Sequence, residues 1–223
     1  MLRVGLTGGL GSGKSTVASL LRNRGCVILE ADAIARGLMQ PGQAVYRAIA
    51  EHFGPAVLRP DGALDRARLA ELSFHEGRLA ELTRIVHPPT IAEQERQMET
   101  VFARDPQAVV VVESALIFEA EAWGTVPHWR RRFDRVVLVT APDDLKVRRY
   151  VDRILPAGAT PAMRADAESG ARARLAAQLP DAVKTPRSDF VIDNSGDRAA
   201  LRNQVDRIAA ELVNLARSPH AKS

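Results

Sequence analysis

Five short apolar runs punctuate the chain, at residues 2–6, 27–29, 109–112, 136–139 and 190–192, each rich in valine, isoleucine or leucine. Runs that stay apolar at consecutive positions, rather than alternating, predict strands covered on both faces. The stretches between them place their apolar residues at helical spacing. In the last stretch Leu201, Val205, Ile208, Leu212 and Leu215 mark one face of a helix over 197–217 that packs on the sheet, with residues 218–223 expected to fray. Strand and helix in alternation predict an α/β fold: a five-stranded parallel sheet flanked by helices. Asp105-Pro106 marks the turn into the third strand, and Ala141-Pro142-Asp143 the exit from the fourth.

Two segments exceed what a crossover between parallel strands needs. The first, 40–104, is helical in pattern throughout. Pro88 suits the first position of a helix, which puts His87 of Ile85-Val86-His87-Pro88-Pro89 just ahead of that start. The second, 154–178, opens on the breakers Pro156-Ala157-Gly158 and runs into an arginine-rich stretch, 164–174. No internal repeat is present.

Composition narrows the class. A chain of 223 residues suits one α/β domain with insertions, and 46% hydrophobic residues support a sizeable core. No apolar run is long enough to span a bilayer, and a strand beginning at residue 2 leaves no room for a signal peptide. Cys26 is the only cysteine, so no internal disulfide forms, consistent with a reduced, cytoplasmic setting. The net charge of +4 gathers partly at Arg130-Arg131-Arg132 and between Lys146 and Arg174. So mild an excess is accounted for by a phosphate-bearing small substrate, and neither nucleic acid nor membrane is expected as a partner.

The chemistry starts after the first run. Gly8-Gly9-Leu10-Gly11-Ser12-Gly13-Lys14-Ser15 fits G-x-x-x-x-G-K-[ST] at every fixed position, between a strand and the helical Ser15-Thr16-Val17-Ala18-Ser19-Leu20-Leu21. Such a loop aims backbone N–H groups and a helix N-terminus at a polyphosphate. Gly11, Ser12, Gly13, Lys14, Ser15 and Thr16 are the expected nucleotide-binding residues; Lys14 reaches the β/γ-phosphates and the Ser15 hydroxyl ligates Mg²⁺. A guanine reader is missing. Asn194-Ser195-Gly196-Asp197 lacks the required lysine, and Asp193-Asn194-Ser195-Gly196 matches D-x-x-G only formally, after the last strand.

A kinase for a small acceptor further needs a base and cations that close over the moving phosphoryl group. Asp32 follows the second strand, at the carboxyl edge where open α/β sheets bind ligands. It is either that base or the N-cap of the next helix. Arg149 and Arg153 stand one helical turn apart, and Arg174 lies beyond the breakers; they are either a cationic lid or a solvated basic face. Glu113 ends the third strand, where it either holds a Mg²⁺-bound water or caps the following helix. The five histidines show no zinc-ligand spacing, and Trp123 and Trp129 read as packing or surface residues.

Taken together, these strings resemble one family, the dephospho-CoA kinases, over nearly the whole chain. The loop from Val4 to Ser15, Ala31-Asp32-Ala33-Ile34-Ala35-Arg36, Gly62-Ala63-Leu64-Asp65-Arg66-Ala67-Arg68-Leu69 and Ile85-Val86-His87-Pro88 carry the likeness through the first half. Leu116-Ile117-Phe118-Glu119, Lys146-Val147-Arg148-Arg149, Arg153, Arg174-Leu175-Ala176-Ala177-Gln178 and Asp189-Phe190-Val191-Ile192-Asp193-Asn194 carry it through the second. The resemblance implies a phosphate-loop kinase that uses ATP and Mg²⁺ to phosphorylate the ribose 3′-hydroxyl of dephospho-CoA. It implies a nucleotide-binding core of residues 1–39, 105–153 and 179–223, a helical substrate domain of 40–104 and a lid of 154–178. It assigns the base to Asp32, lid positions to Arg149, Arg153 and Arg174, and substrate-domain positions to Arg66 and His87. Three departures stand out: Glu30 where aspartate is usual, Ala115 where proline is usual, and a longer stretch from Arg153 to Gln178.

Overall fold

The five apolar runs fold as β1 (Leu2–Gly8), β2 (Val27–Glu30), β3 (Val109–Glu113), β4 (Arg135–Thr140) and β5 (Phe190–Asp193). All pair in parallel in the order β2-β3-β1-β4-β5. The computed structural model describes residues 1–74, 77–122, 124, 126 and 128–218. Trp123 and the tail 219–223 lie outside the described residues; Ser218 closes the last helix, its hydroxyl donating to the Asn214 carbonyl at 3.0 Å.

The unbroken apolar runs of the inner strands β3 and β4 are buried on both faces, whereas the edge strand β5 leaves Val191 exposed. Leu2, Val4, Leu6, Val109, Val111, Val137 and Val139 pack under α1 (Lys14–Arg22) and α10 (Arg198–Arg217). Val110, Val112 and Val136 face the other way, onto a cluster that includes Phe118, Trp129 and Phe133. Each such side chain contributes about 1.5–3 kcal/mol on burial, which makes the sheet the rigid platform for whatever its carboxyl edge carries. Asp197 caps α10 by accepting the Ala200 N–H at 2.8 Å, starting the helix where its apolar stripe predicts.

Between β2 and β3 run α2 (Ala31–Leu38), α3 (Ala44–Phe53), α4 (Arg66–Phe74) and α5 (Leu79–Arg104). Val45, Ile49, Val57, Leu64, Leu69 and Leu72 form a separate apolar cluster, with Leu82, Ile85 and Val86 of α5 packed against it. The far end of α5 supplies Met98 and Phe102 to the sheet cluster. One expectation fails here. Pro88 does not start a helix: Pro88 and Pro89 lie inside α5, so His87 is mid-helix. Two prolines remove two N–H donors, at a local cost of about 3 kcal/mol each. The two ends of α5 are anchored in two different clusters, and that packing overrides the local preference. Thr90 donates its hydroxyl to the Val86 carbonyl at 2.8 Å within the same stretch.

After β3 come α6 (Ile117–Ala122) and a 3-10 turn, Trp129–Arg132. Trp129 is a packing residue, its ring edge-on to Phe118 at 4.7 Å between centroids. The arginine-rich segment folds as a helical hairpin of α7 (Asp143–Ile154) and α8 (Pro161–Ala176), with Thr160 capping α8 by accepting the Met163 N–H at 3.2 Å. Val147, Tyr150, Val151 and Ala171 pack between the two helices, joined by Leu175 and by Leu10 of the glycine-rich loop. Arg164–Asp152 at 2.9 Å and Arg172–Asp144 at 2.8 Å tie the exposed side. A short α9 (Asp181–Lys184) leads back to β5. Among the described residues no helix is long and apolar enough to cross a membrane.

Candidate active site

Every feature of the site hangs on the carboxyl edge of the sheet. The glycine-rich loop joins β1 to α1, and two of its glycines sit in the left-handed region, Gly11 at φ 69° and Gly13 at φ 94°. Space forbids a side chain at both: a Cβ on Gly11 would overlap the Lys146 carbonyl, and one on Gly13 the Asn194 amide nitrogen. Gly13 is the N-cap of α1, and no side chain caps that helix. Its first-turn N–H groups therefore remain for an anion. Ser15 and Thr16, in that turn, are exposed, while Ser12 is buried and gives its carbonyl to Asn194 Nδ2 at 2.8 Å.

Lys14 curls back over the loop, its Nζ donating to the Gly8 carbonyl at 2.8 Å and the Gly9 carbonyl at 3.1 Å. Burial lowers its pKa to about 8, against the pull of Glu113, with Lys184 and Arg153 adding to the depression. An ammonium held by carbonyls alone, in a depressed state, is a group short of a counter-anion.

Carboxylates gather on the neighbouring strands. β2 and β3 end on Glu30 and Glu113, which are register partners. Glu30 pairs with Arg22 at 3.0 Å, so glutamate at this position keeps an ion pair on the rim. Glu113 is half-buried, and burial raises its pKa although the Lys14 charge opposes the shift. It does not cap a helix, since α6 begins at Ile117. Asp32 is not an N-cap either: α2 starts at Ala31 after Glu30, which leaves Asp32 exposed in the first turn. Its charge acts on both Lys14 and Glu113. Ammonium, Asp32 and Glu113 thus act on one another at the carboxyl edge beside the loop.

The three arginines divide between two walls. Arg149 donates to the Asn194 carbonyl at 2.9 Å and lines a cavity of about 430 Å³ with Gly13, Thr16, Asn194, Arg198 and Arg202. Arg153, one turn on, lies 5.3 Å from the Tyr150 ring centre, and Arg174 hydrogen-bonds the Tyr150 hydroxyl. α5 packs against α2, so the helix of His87 lies beside that of Asp32. His87 is half-buried, and burial, then the Arg132 charge, holds its pKa below the usual range. Arg66 opens α4 and is exposed; among the described residues no hydrogen bond or ion pair ties it to the loop.

Three residues that touch the loop stood in the sequence strings without an assigned role. Gln178 accepts the Leu10 N–H at 2.9 Å, Asn194 holds Ser12, and Lys146 lies against Gly9 and Gly11. Gln178 and Leu10 are 168 residues apart, Asn194 and Ser12 182. Nothing in local spacing signals such partners.

Comparison with known proteins bears on this arrangement at each level. The family model described as Dephospho-CoA kinase matches residues 2–200, which takes in the loop, the helical segment, the α7–α8 hairpin and β5. A dephospho-CoA kinase of Corynebacterium efficiens is 39% identical over 214 residues, 96% of this chain and 98% of that protein. One of Aromatoleum aromaticum is 40% identical over 217 residues, 96% of each. A crystal structure of a Thermus thermophilus protein superposes with a TM-score of 0.71 at 32% identity, covering 95% of this chain and 97% of that one. A match of that extent, running through every element of the site, places the chain in the dephospho-CoA kinase family.

Proposed function

We propose that this kinase transfers the γ-phosphoryl group of ATP to the ribose 3′-hydroxyl of dephospho-CoA, giving coenzyme A and ADP in the cytoplasm. The observation that carries the reading is the gathering of Asp32 and Glu113 opposite Lys14 and an uncapped helix N-terminus, at one edge of the sheet. Donors for a polyphosphate stand on one side, and an exposed carboxylate for an acceptor hydroxyl on the other.

In this reading the first-turn N–H groups of α1 and the Lys14 ammonium hold the β/γ-phosphates. Asp32 orients the 3′-hydroxyl and accepts its proton as the new bond to phosphorus forms, a role worth about 10²–10⁴ in rate. The Ser15 hydroxyl, with Glu113 through water, offers hard oxygen donors of the kind Mg²⁺ takes; the ion when bound neutralises charge on the phosphate oxygens. Arg149, Arg153 and Arg174 meet the transferring group from the hairpin, Arg149 at the wall it shares with Gly13 and Thr16. Segment 154–178 acts as the lid that excludes water. Segment 40–104, with His87 and Arg66, receives the rest of dephospho-CoA.

The test is ADP release from Mg-ATP with and without dephospho-CoA, with the acceptor followed by mass. Acceptor-dependent ADP and a gain of about 80 Da on dephospho-CoA, one phosphoryl group replacing one proton, are expected. Asp32→Asn should keep ATP affinity and lose about 10²–10⁴ in kcat. Transfer to AMP, CMP or uridine but not to dephospho-CoA would overturn the acceptor, and near-wild-type turnover in the variant would overturn the base.

A further inference from the structure

The glycine-rich loop is not free-standing. Its Leu10 N–H, in the stretch that must wrap a polyphosphate, is donated to the Gln178 side-chain oxygen at 2.9 Å. Gln178 sits just past the end of α8, half-buried, and its Oε1 lies beside Gly9 with a Leu175 methyl and the Lys146 ammonium. Leu10 and Leu175 belong to the apolar cluster that packs α7 against α8.

The residues beyond Gln178 are pinned as well. Glu119 of α6 accepts the N–H of the next residue, Leu179, at 3.1 Å and pairs with Lys184 at 2.7 Å, with both charged side chains fully buried. Asp181 pairs with Lys146 at 2.6 Å, and the backbone of Lys146 is what Gly11 rests on. The strap 178–184 therefore joins three elements: the loop through Gln178, α6 through Leu179 and Lys184, and α7 through Asp181. Within it Gln178 alone presents a side chain to a loop amide. A neutral acceptor suits that place, since a carboxylate would stand against the bound phosphates.

We propose that Gln178 is a positioning residue of the phosphate loop: its side-chain carbonyl fixes the Leu10 amide and couples the loop's shape to the docked α7–α8 hairpin. A loop set in advance binds the polyphosphate without spending ordering entropy on it. The geometry stands alone; its consequence for ATP rests on the kinase reading above.

The test begins without nucleotide, on the full chain. Gln178→Met keeps the volume and removes the acceptor. Backbone amide exchange at Leu10, read by NMR, should speed up by about three- to tenfold, the population effect of one neutral hydrogen bond, with the melting midpoint lowered by only a few degrees. Gln178→Glu restores an acceptor oxygen and should restore the slow exchange. In Gln178→Met the Kd for ATP should rise by about the same factor, while KM for dephospho-CoA holds. Unchanged Leu10 exchange, no rescue by glutamate, or faster exchange with unaltered ATP affinity would each overturn the proposal. A wild-type protein that protects Leu10 but transfers nothing to dephospho-CoA would overturn the functional reading and leave this tie standing.

Discussion

Lys14 carries a signature that a solution experiment can read. Its free-state pKa, lowered to about 8, reflects burial against the loop carbonyls with only partial compensation by Glu113. Bound phosphates favour the ammonium, so the pKa in the complex lies above 8, and in the interval between the two values ATP binding takes up a proton. The sign follows: affinity is flat in this term below pH 8 and falls as pH rises through it, by at most about one decade per pH unit for a single proton. ATP does not supply the slope, because its terminal phosphate is already ionised there, with a pKa of about 6. Titration calorimetry from about pH 7.5 to 9.5 in two buffers should show weakening affinity and proton uptake. Lys14→Met should bind more weakly at every pH and show neither effect. A wild-type affinity that stays level through pH 9 would mean that the free Lys14 is not held near 8, and Lys14→Met binding as tightly as wild type would mean that Lys14 is not the phosphate ligand.

At the scale of elements, the strap between α8 and β5 depends on one buried ion pair. Glu119 and Lys184 have side-chain exposures of 2% and 0%, and Glu119 also holds the Leu179 N–H. Glu119→Gln keeps an acceptor for Leu179 and strands the Lys184 ammonium in the interior, a change that costs about 3–5 kcal/mol. Adding Lys184→Met removes the stranded charge and should recover most of the loss, since replacing a whole buried pair is often near neutral. Urea denaturation of the two variants checks both steps; a single variant within about 1 kcal/mol of wild type would show that water reaches the pair. This element also marks where sequence reading stops. The five strands were legible because runs such as Val109 to Val112 are apolar at every position, a pattern only a doubly covered strand needs. The loop was legible because its glycines and Lys14 are contiguous. Gln178, Asn194 and Glu119 stood in recognisable strings, but their roles are set by partners that only the folded chain brings within reach. Pro88 misled for the reverse reason: a strong local rule yielded to packing at both ends of α5.

That same helix should make one cooperative unit of the helical segment and the sheet. Residues 40–104 have their own apolar cluster, which by itself argues for a segment able to unfold independently. Yet α5 packs Leu82, Ile85 and Val86 against that cluster and buries Met98 and Phe102 in the sheet cluster. Melting the helical segment would fray α5 and open the sheet's face, while melting the sheet would remove the anchor of α5. Unfolding in urea should therefore be a single transition, with near-ultraviolet signals from the buried Trp129 and far-ultraviolet helicity coinciding. In the proposed reading ATP binds at the edge of the central strand β1, and only to the folded chain. At a hundred times its Kd it should shift the entire transition by about 2.7 kcal/mol for both probes. If residues 40–104 were a separate folding domain, helicity would be lost in two steps, and ATP would move only the step that carries the loop. Coincident curves that move together would show that α5 makes one unit of the helical segment and the sheet, so that residues 40–104 and the glycine-rich loop keep a fixed relation without a bound ligand.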